Sequence, residues 1–75
     1  MKTLTGSELA QAGKLLYGDQ WHQNLARSLN VDSRRIPQWE VERRPIPSGV
    51  RQEIIDLLKE NAEKELALAQ MLELD

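Results

Sequence analysis

An apolar stripe through the C-terminal part of the chain constrains the fold most strongly. From Ser48 onward, apolar side chains recur every three or four residues, at Val50, Ile54, Leu58, Ala62, Leu66, Ala69 and Leu72. This spacing places them on one side of an α-helix, whereas a half-buried strand would alternate apolar and polar residues. We therefore expect one long helix over residues 48–73, or two helices if the polar stretch around Asn61 interrupts it.

A capping pattern predicts a first helix near the N-terminus. Residues 5–8 read Thr-Gly-Ser-Glu, a pattern in which the Thr5 hydroxyl accepts from the Glu8 backbone N–H and the Glu8 side chain reaches back. Apolar residues then recur at helical spacing, at Leu9, Ala12, Leu15 and Leu16. Gly18 is predicted to end this helix, because glycine readily adopts the conformations that terminate one.

Two shorter helices are predicted in the middle of the chain. Asp19 is expected to cap a helix that begins about Gln20 and ends at Asn30, a residue type that tolerates the left-handed conformation. Asp32 or Ser33 is expected to cap the next helix, so the connection is very short. The apolar residues of this region are Trp21, Leu25, Ala26, Leu29, Val31, Ile36 and Trp39.

Three prolines restrict the backbone that follows. If Asp32 caps the third helix, Pro37 is its fifth residue and removes the hydrogen bond to the Ser33 carbonyl, at a cost of about 3 kcal/mol in a helix interior. We therefore expect a kink or a late helix start. Residues 43–47 read Arg-Arg-Pro-Ile-Pro, which cannot continue a helix and predicts a rigid, basic loop.

Composition limits the class of protein. A chain of 75 residues without cysteine forms a single domain, 1–75, whose compact core we place in residues 5–58 and which packing alone must stabilise. No apolar run approaches the roughly 18 residues of a membrane span, and no signal peptide is recognisable, so a cytoplasmic location is predicted. No phosphate loop or cysteine nucleophile is present, and His22 has no second metal ligand at useful spacing, so no enzyme activity, cofactor or metal is expected.

The net charge of −2 conceals two unlike halves. Residues 1–52 carry eight Lys and Arg against five Asp and Glu, giving +3, while residues 53–75 carry two against seven, giving −5. Such asymmetry is compatible with a basic face that binds phosphate while the acidic end points elsewhere.

The most specific pattern lies in residues 17–31, which read YGDQWHQNLARSLNV. Two short helices with so short a turn cross at a large angle, and Ala26 provides the small residue that the crossing needs. The segment resembles the helix-turn-helix regulators of the Cro and phage-repressor type, and the likeness continues through Arg34, Arg35, Trp39 and residues 44–47. The resemblance implies an all-α, lambda-repressor-like DNA-binding domain of four to five helices with a helix-turn-helix and a long C-terminal helix.

This resemblance also implies sequence-specific binding of double-stranded DNA, as in a transcriptional regulator. The third helix would lie in the major groove, with base edges read by Ser33, Arg34, Arg35 and Gln38. Phosphates would be bound at the N-terminus of the second helix and in the basic loop, through Gln20, His22, Gln23, Arg43 and Arg44.

Alternative interpretations stay open at this point. The helical scaffold could instead be a protein-interaction module, such as an antitoxin-like protein that binds a partner and no longer reads DNA. His22 is as compatible with an ordinary surface position as with a phosphate contact. Trp21 and Trp39 are interpreted as core residues rather than as stacking platforms for single-stranded nucleic acid.

The apolar stripe extends further than one small core requires, since Leu66, Ala69 and Leu72 lie well beyond Leu58. We expect a homodimer through the C-terminal helix, which would set two recognition helices about 34 Å apart on a palindromic site. In the rival interpretation the helix breaks near Asn61 and folds back onto its own domain.

Overall fold

The computed structural model describes residues 3–74, which form an all-α protein with no strand in that range. Its helices are α1 (Gly6–Tyr17), α2 (Trp21–Leu29), α3 (Arg35–Glu40) and α4 (Ser48–Glu73). No helix within this part of the chain is both long and apolar enough to cross a membrane. The prediction of a small all-α protein with a long C-terminal helix is confirmed.

Helix α1 begins and ends where the sequence predicts. The Thr5 hydroxyl accepts from the Glu8 backbone N–H at 3.1 Å, and the Glu8 carboxylate accepts from the Thr5 N–H at 3.0 Å, which completes the capping box. Gly18 ends the helix with a positive φ of 80°, and its N–H donates to the Lys14 carbonyl.

Helix α2 differs from the expectation at its start but not at its end. Gln20 is the N-cap, and no side chain caps the first turn, so the prediction that Asp19 caps α2 is wrong. Asp19 lies one residue before the capping position, so its carboxylate does not occupy the place from which a cap side chain accepts. Asn30 ends the helix in the left-handed conformation, with φ 58° and ψ 46°, and Val31 N–H then donates to the Ala26 carbonyl at 3.0 Å.

Helix α3 starts late, which is one of the two outcomes expected from Pro37. The chain first makes a tight turn, in which the Asp32 carbonyl accepts from Arg35 N–H at 2.9 Å and the Ser33 carbonyl accepts from Ile36 N–H at 3.3 Å. The helix begins at Arg35 with Arg34 as its N-cap, so neither Asp32 nor Ser33 caps it. Pro37 becomes the third helical residue, where a backbone N–H has no partner inside the helix and its loss costs little.

Helix α4 is continuous, so the predicted alternative of a break near Asn61 is wrong. Its 26 residues span about 39 Å at 1.5 Å per residue. The molecule measures 49 × 28 × 20 Å, and residues 62–74 are all exposed. The C-terminal half of α4 therefore projects from the rest of the protein.

A single core joins all four helices and the loop before α4. Trp21 and Trp39 are 1% and 3% exposed, which confirms their assignment to the core. Leu15, which belongs to the apolar pattern of α1, is 75% exposed, because it lies on the side of α1 that faces the open groove beside α4. The buried apolar residues are Leu9, Ala12, Trp21, Leu25, Ala26, Leu29, Ile36, Trp39, Ile46, Val50 and Ile54.

Two glycines let α1 approach its neighbours closely. A Cβ added at Gly13 would lie 2.1 Å from the ring of Trp21, and one added at Gly6 would lie 2.0 Å from the Glu40 carbonyl oxygen at the end of α3. Neither place can hold a larger side chain without displacing the neighbouring group. Helix α1 thereby fixes the positions of α2 and α3.

Candidate nucleic-acid interface

The turn before α3 is organised by Asp32. One carboxylate oxygen of Asp32 accepts from the Arg34 backbone N–H at 2.9 Å and from Arg34 Nε at 3.2 Å, while the other accepts from Arg34 Nη2 at 2.8 Å. The aspartate thus closes a local turn and holds the guanidinium of Arg34 with two parallel contacts. The Arg34 side chain is nonetheless 86% exposed.

This pairing shifts the ionisation of both side chains. The side-chain hydrogen bond from Arg34, followed by its backbone hydrogen bond, lowers the pKa of Asp32 to about 2. The same side-chain hydrogen bond raises the pKa of Arg34 above its usual value. Both groups are therefore charged at neutral pH, and the guanidinium presents donors to solvent while one edge is occupied by the carboxylate.

The other three candidate base-reading residues occupy different environments. Ser33 and Arg35 are exposed, and Arg35 borders an open groove of about 390 Å³ between the start of α3 and the start of α4. Gln38 is half-buried in the middle of α3. Ser33, Arg34 and Arg35 are therefore together at the N-terminal end of α3, and Gln38 lies one turn further along.

The loop after α3 is held against the helix by backbone hydrogen bonds. The Gln38 carbonyl accepts from the N–H groups of Arg43 at 2.9 Å and Arg44 at 3.4 Å. Glu42 adopts a positive φ of 57°, which turns the chain back toward the helix. Arg43 and Arg44 are both exposed, so the predicted basic loop is fixed at the C-terminal end of α3.

The three phosphate candidates of α2 lie around one concavity. Gln20, His22 and Gln23 line an open depression of about 410 Å³ together with Asp19 and Asn24. No side chain caps the first turn of α2, which leaves its N–H groups available to an anion. The carboxylate of Asp19 also lines this depression and opposes anion binding there.

His22 makes contacts that the sequence did not predict. Its Nε2 lies 2.8 Å from Oε1 of Glu40, the last residue of α3, and its ring stacks on Trp21 with centroids 4.0 Å apart. These contacts bring the first turn of α2 next to the end of α3. No local pattern signals the pair, because the two residues are 18 positions apart.

The candidate interface has two ends, which differ in the residues that they hold. The N-terminal end of α3 holds Ser33, Arg34 and Arg35, and its C-terminal end adjoins the first turn of α2 and the loop with Arg43 and Arg44. Acidic side chains accompany both ends, namely Asp32 at the first and Asp19, Glu40 and Glu42 at the second. The surface is therefore a mixed one with exposed arginines and not a uniformly basic patch.

No protein-family model, curated protein or solved structure significantly matches the chain.

Proposed function

We propose that the chain binds double-stranded DNA sequence-specifically, through a helix-turn-helix formed by α2 and α3, and acts as a transcriptional regulator. The observation that carries the proposal is that α3 has buried apolar residues on one side and exposed arginines near both of its ends. Ile36 and Trp39 are buried, whereas four arginines at the start of α3 and directly after it are exposed, namely Arg34, Arg35, Arg43 and Arg44. A helix held from behind and bordered by cations suits entry into a groove lined by phosphates.

The junction between α2 and α3 supports this interpretation. Ala26 is 2% exposed at the α2 side of the junction, and its carbonyl accepts from Val31 N–H across the left-handed Asn30. A small buried residue lets two short helices cross closely, and a left-handed residue turns the chain sharply between them. The resemblance to Cro and phage-repressor regulators rests on this same segment, and a lambda-repressor-like domain is the corresponding proposal for the fold.

In the proposed complex, the start of α3 meets base edges. The guanidinium of Arg35 is suited to donate to O6 and N7 of guanine, and the Gln38 amide can both donate to and accept from adenine. Ser33 supplies a hydroxyl beside them. Arg34 reaches DNA with Asp32 still bound to one edge of its guanidinium, so Asp32 limits the directions in which Arg34 can donate.

The phosphate contacts are proposed at the opposite end of α3. Arg43 and Arg44 meet the backbone of the duplex, and the open first turn of α2 supplies N–H groups beside Gln20 and Gln23. His22 donates to phosphate through Nδ1 in its imidazolium form, in which Nε2 donates to Glu40 and Nδ1 also carries a proton. These contacts fix the position of the domain on the duplex without reading its sequence.

The test is a titration of the full chain on duplex DNA, first of mixed sequence at low salt and then on a site selected from random fragments. We expect binding that weakens steeply with salt. Arg35→Ala should cost about 1–3 kcal/mol on the selected site and relax its sequence preference, whereas Arg43→Ala and Arg44→Ala should weaken binding to every sequence and reduce the salt slope by about one unit each.

A matched control removes a cation that lies far from α3. Lys64 is on the projecting half of α4 and pairs with Glu60 of the same helix at 3.4 Å, so Lys64→Gln should leave DNA affinity unchanged. Absence of binding to any duplex at low salt, or equal losses for Lys64→Gln and Arg35→Ala, would refute the proposal.

A protein-interaction module is the second candidate, of which an antitoxin-like partner-binding protein is one form. It is favoured by the acidic residues next to the arginines, since Asp32 occupies part of Arg34 and Glu40 engages His22. In this case the chain does not bind duplex DNA at low salt. The titration above therefore distinguishes the two functions.

A further inference from the structure

The end of α4 is largely apolar and exposed. Residues 66–72 contain no charged side chain and read LALAQML. Leu66, Leu68, Met71 and Leu72 are 53–63% exposed, and Leu74 is 87% exposed. A contiguous exposed apolar patch of this kind marks a surface that another molecule covers. We call residues 66–74 the tip.

A matching surface lies on the same protein, in a groove between α1 and α4. The groove has a volume of about 230 Å³, and its lining is largely apolar, with Leu4, Leu15, Ile54, Ile55 and Leu58. Leu15 is 75% exposed at its edge. A largely apolar groove of this kind is suited to an apolar helix.

The groove and part of the tip share one face of α4. Ile55, Leu58, Ala62, Ala69 and Leu72 are spaced by three, four, seven and three residues, which keeps them on one side of a helix. The groove therefore continues along α4 as a stripe that leads to the tip. The protein's own tip cannot enter its own groove, because α4 is a single helix.

We propose that a second copy of the chain covers these surfaces, with the two α4 helices antiparallel and a twofold axis at Ala62. Ala69, in the tip, lies seven residues after Ala62, and Ile55, in the groove, lies seven residues before it. Each separation is about 10.5 Å along the helix. A twofold axis at Ala62 thus places each tip in the groove of the other copy.

The residues near the axis fit such a crossing. Ala62 has a small side chain, which lets two helices approach closely at that point. The antiparallel register sets Glu73 of one copy opposite Arg51 of the other, which also pairs with Glu8 of its own chain at 3.9 Å. It sets Lys59 of one copy opposite Glu65 of the other. Opposite charges therefore meet at each of these positions. In a parallel, in-register pair, each charged residue would instead lie beside the identical residue, and thus the same charge, of the other copy.

The pairing is independent of DNA binding, since it uses α1 and α4 and none of the residues assigned to DNA. Sedimentation of the full chain from low to high micromolar concentration should show a monomer–dimer equilibrium. Leu72→Glu, a change at an exposed position, should abolish the dimer while circular dichroism shows an unchanged fold. A chain that stays monomeric throughout would overturn the proposal.

Disulfide crosslinking tests the orientation, because the chain contains no cysteine. Ala62→Cys should form a covalent dimer on oxidation, since the two copies meet at this residue. In the proposed register two Leu66→Cys residues are about 12 Å apart along the helices, beyond the roughly 4.4–6.8 Å between Cα atoms that a disulfide spans. Leu66→Cys alone should therefore stay uncrosslinked but should crosslink to Leu58→Cys when the two variants are mixed. Efficient crosslinking of Leu66→Cys alone would mean a parallel pair and would overturn the antiparallel arrangement.

A charge exchange provides a second check on the register. Lys59→Glu and Glu65→Lys should each weaken the dimer, and the double variant should restore it. These two residues are six positions apart and do not face each other within one helix, so recovery in the double variant requires contact between copies. Failure of the double variant to recover would reject the register.

Discussion

The two halves of α4 have the same local sequence pattern and opposite surroundings. Val50 and Ile54 in the first half are 4% and 2% exposed, whereas Leu66 and Leu72 in the second half are 60% and 63% exposed. Both halves belong to one uninterrupted helix. Apolar periodicity therefore determines that a helix forms and which side of it is apolar, but the remainder of the molecule determines whether that side is covered.

The largest effect is expected when one leucine or isoleucine side chain in each half of α4 is shortened to alanine. Ile54→Ala should lower the free energy of unfolding by about 2–5 kcal/mol, because it leaves a cavity among buried side chains. Leu66→Ala should change it by less than about 0.5 kcal/mol in dilute solution, where the tip has no partner. Thermal and urea denaturation measure both values. Equal losses for the two variants would mean that the tip is packed in the monomer.

A second comparison uses two glycines, of which Gly13 packs against Trp21 and Gly49 has no neighbouring atom in the way of a side chain. Gly13→Ala should destabilise the protein by about 1–3 kcal/mol, because the added methyl group meets the buried ring of Trp21. Gly49→Ala, at the start of α4, meets no atom within 4 Å and should stabilise it by about 0.4–1 kcal/mol. Opposite shifts of the melting temperature are expected. A neutral Gly13→Ala would show that α1 and Trp21 can separate without cost.

Removing the whole projecting half should have a smaller effect. A chain that ends at Asn61 retains every buried apolar residue, since the last of these is Ile54. In dilute solution its free energy of unfolding should stay within about 0.5 kcal/mol of that of the full chain, as for other changes to uncovered surface. Denaturant titration of both chains at matched low concentration measures the difference. A large loss would show that residues 62–75 stabilise the core directly.

The smallest expected effect concerns an exposed charge pair rather than a packed residue. The pKa of Asp32 is about 2 in the folded protein against an ordinary value of 3.8, so its pairing with Arg34 stabilises the fold above about pH 4. That contribution should disappear as the pH falls through about 2. The melting-temperature difference between the natural chain and Asp32→Asn should therefore shrink between these pH values. Arg34→Gln removes the same pair, so the melting-temperature difference between the natural chain and this variant should shrink in the same way. Differences that stay constant between about pH 4 and pH 2 would contradict this account.

Much of the fold follows from signals that are local in the sequence. The capping box at Thr5, the stop at Gly18 and the left-handed Asn30 depend on residues within one helical turn, and all three were predicted correctly. The late start of α3 also follows from one residue, Pro37. The sequence pattern favours Asp19 as the cap of α2, whereas the cap is Gln20, one residue later, a shift typical of helix boundaries.

The candidate interface was less predictable, because its determining contacts join distant positions. The exposure of Arg35, Arg43 and Arg44 agrees with the sequence-based assignment. The contact between His22 and Glu40 spans two helices and has no local signal. The Asp32–Arg34 pair is local, and the spacing of an aspartate two residues before an arginine could have indicated it. The DNA contacts assigned to these residues stay predictions.

The projecting helix also determines how the molecule rotates in solution. About 39 Å of α4 exceeds the 28 and 20 Å of the two shorter dimensions, so the helix lies near the long axis of the protein. Its N–H bonds are roughly parallel to the helix axis, and spinning about that axis hardly reorients them. Nitrogen relaxation of α4 amides should therefore report the slow end-over-end tumbling, while amides of the differently oriented helices also sense the faster rotation.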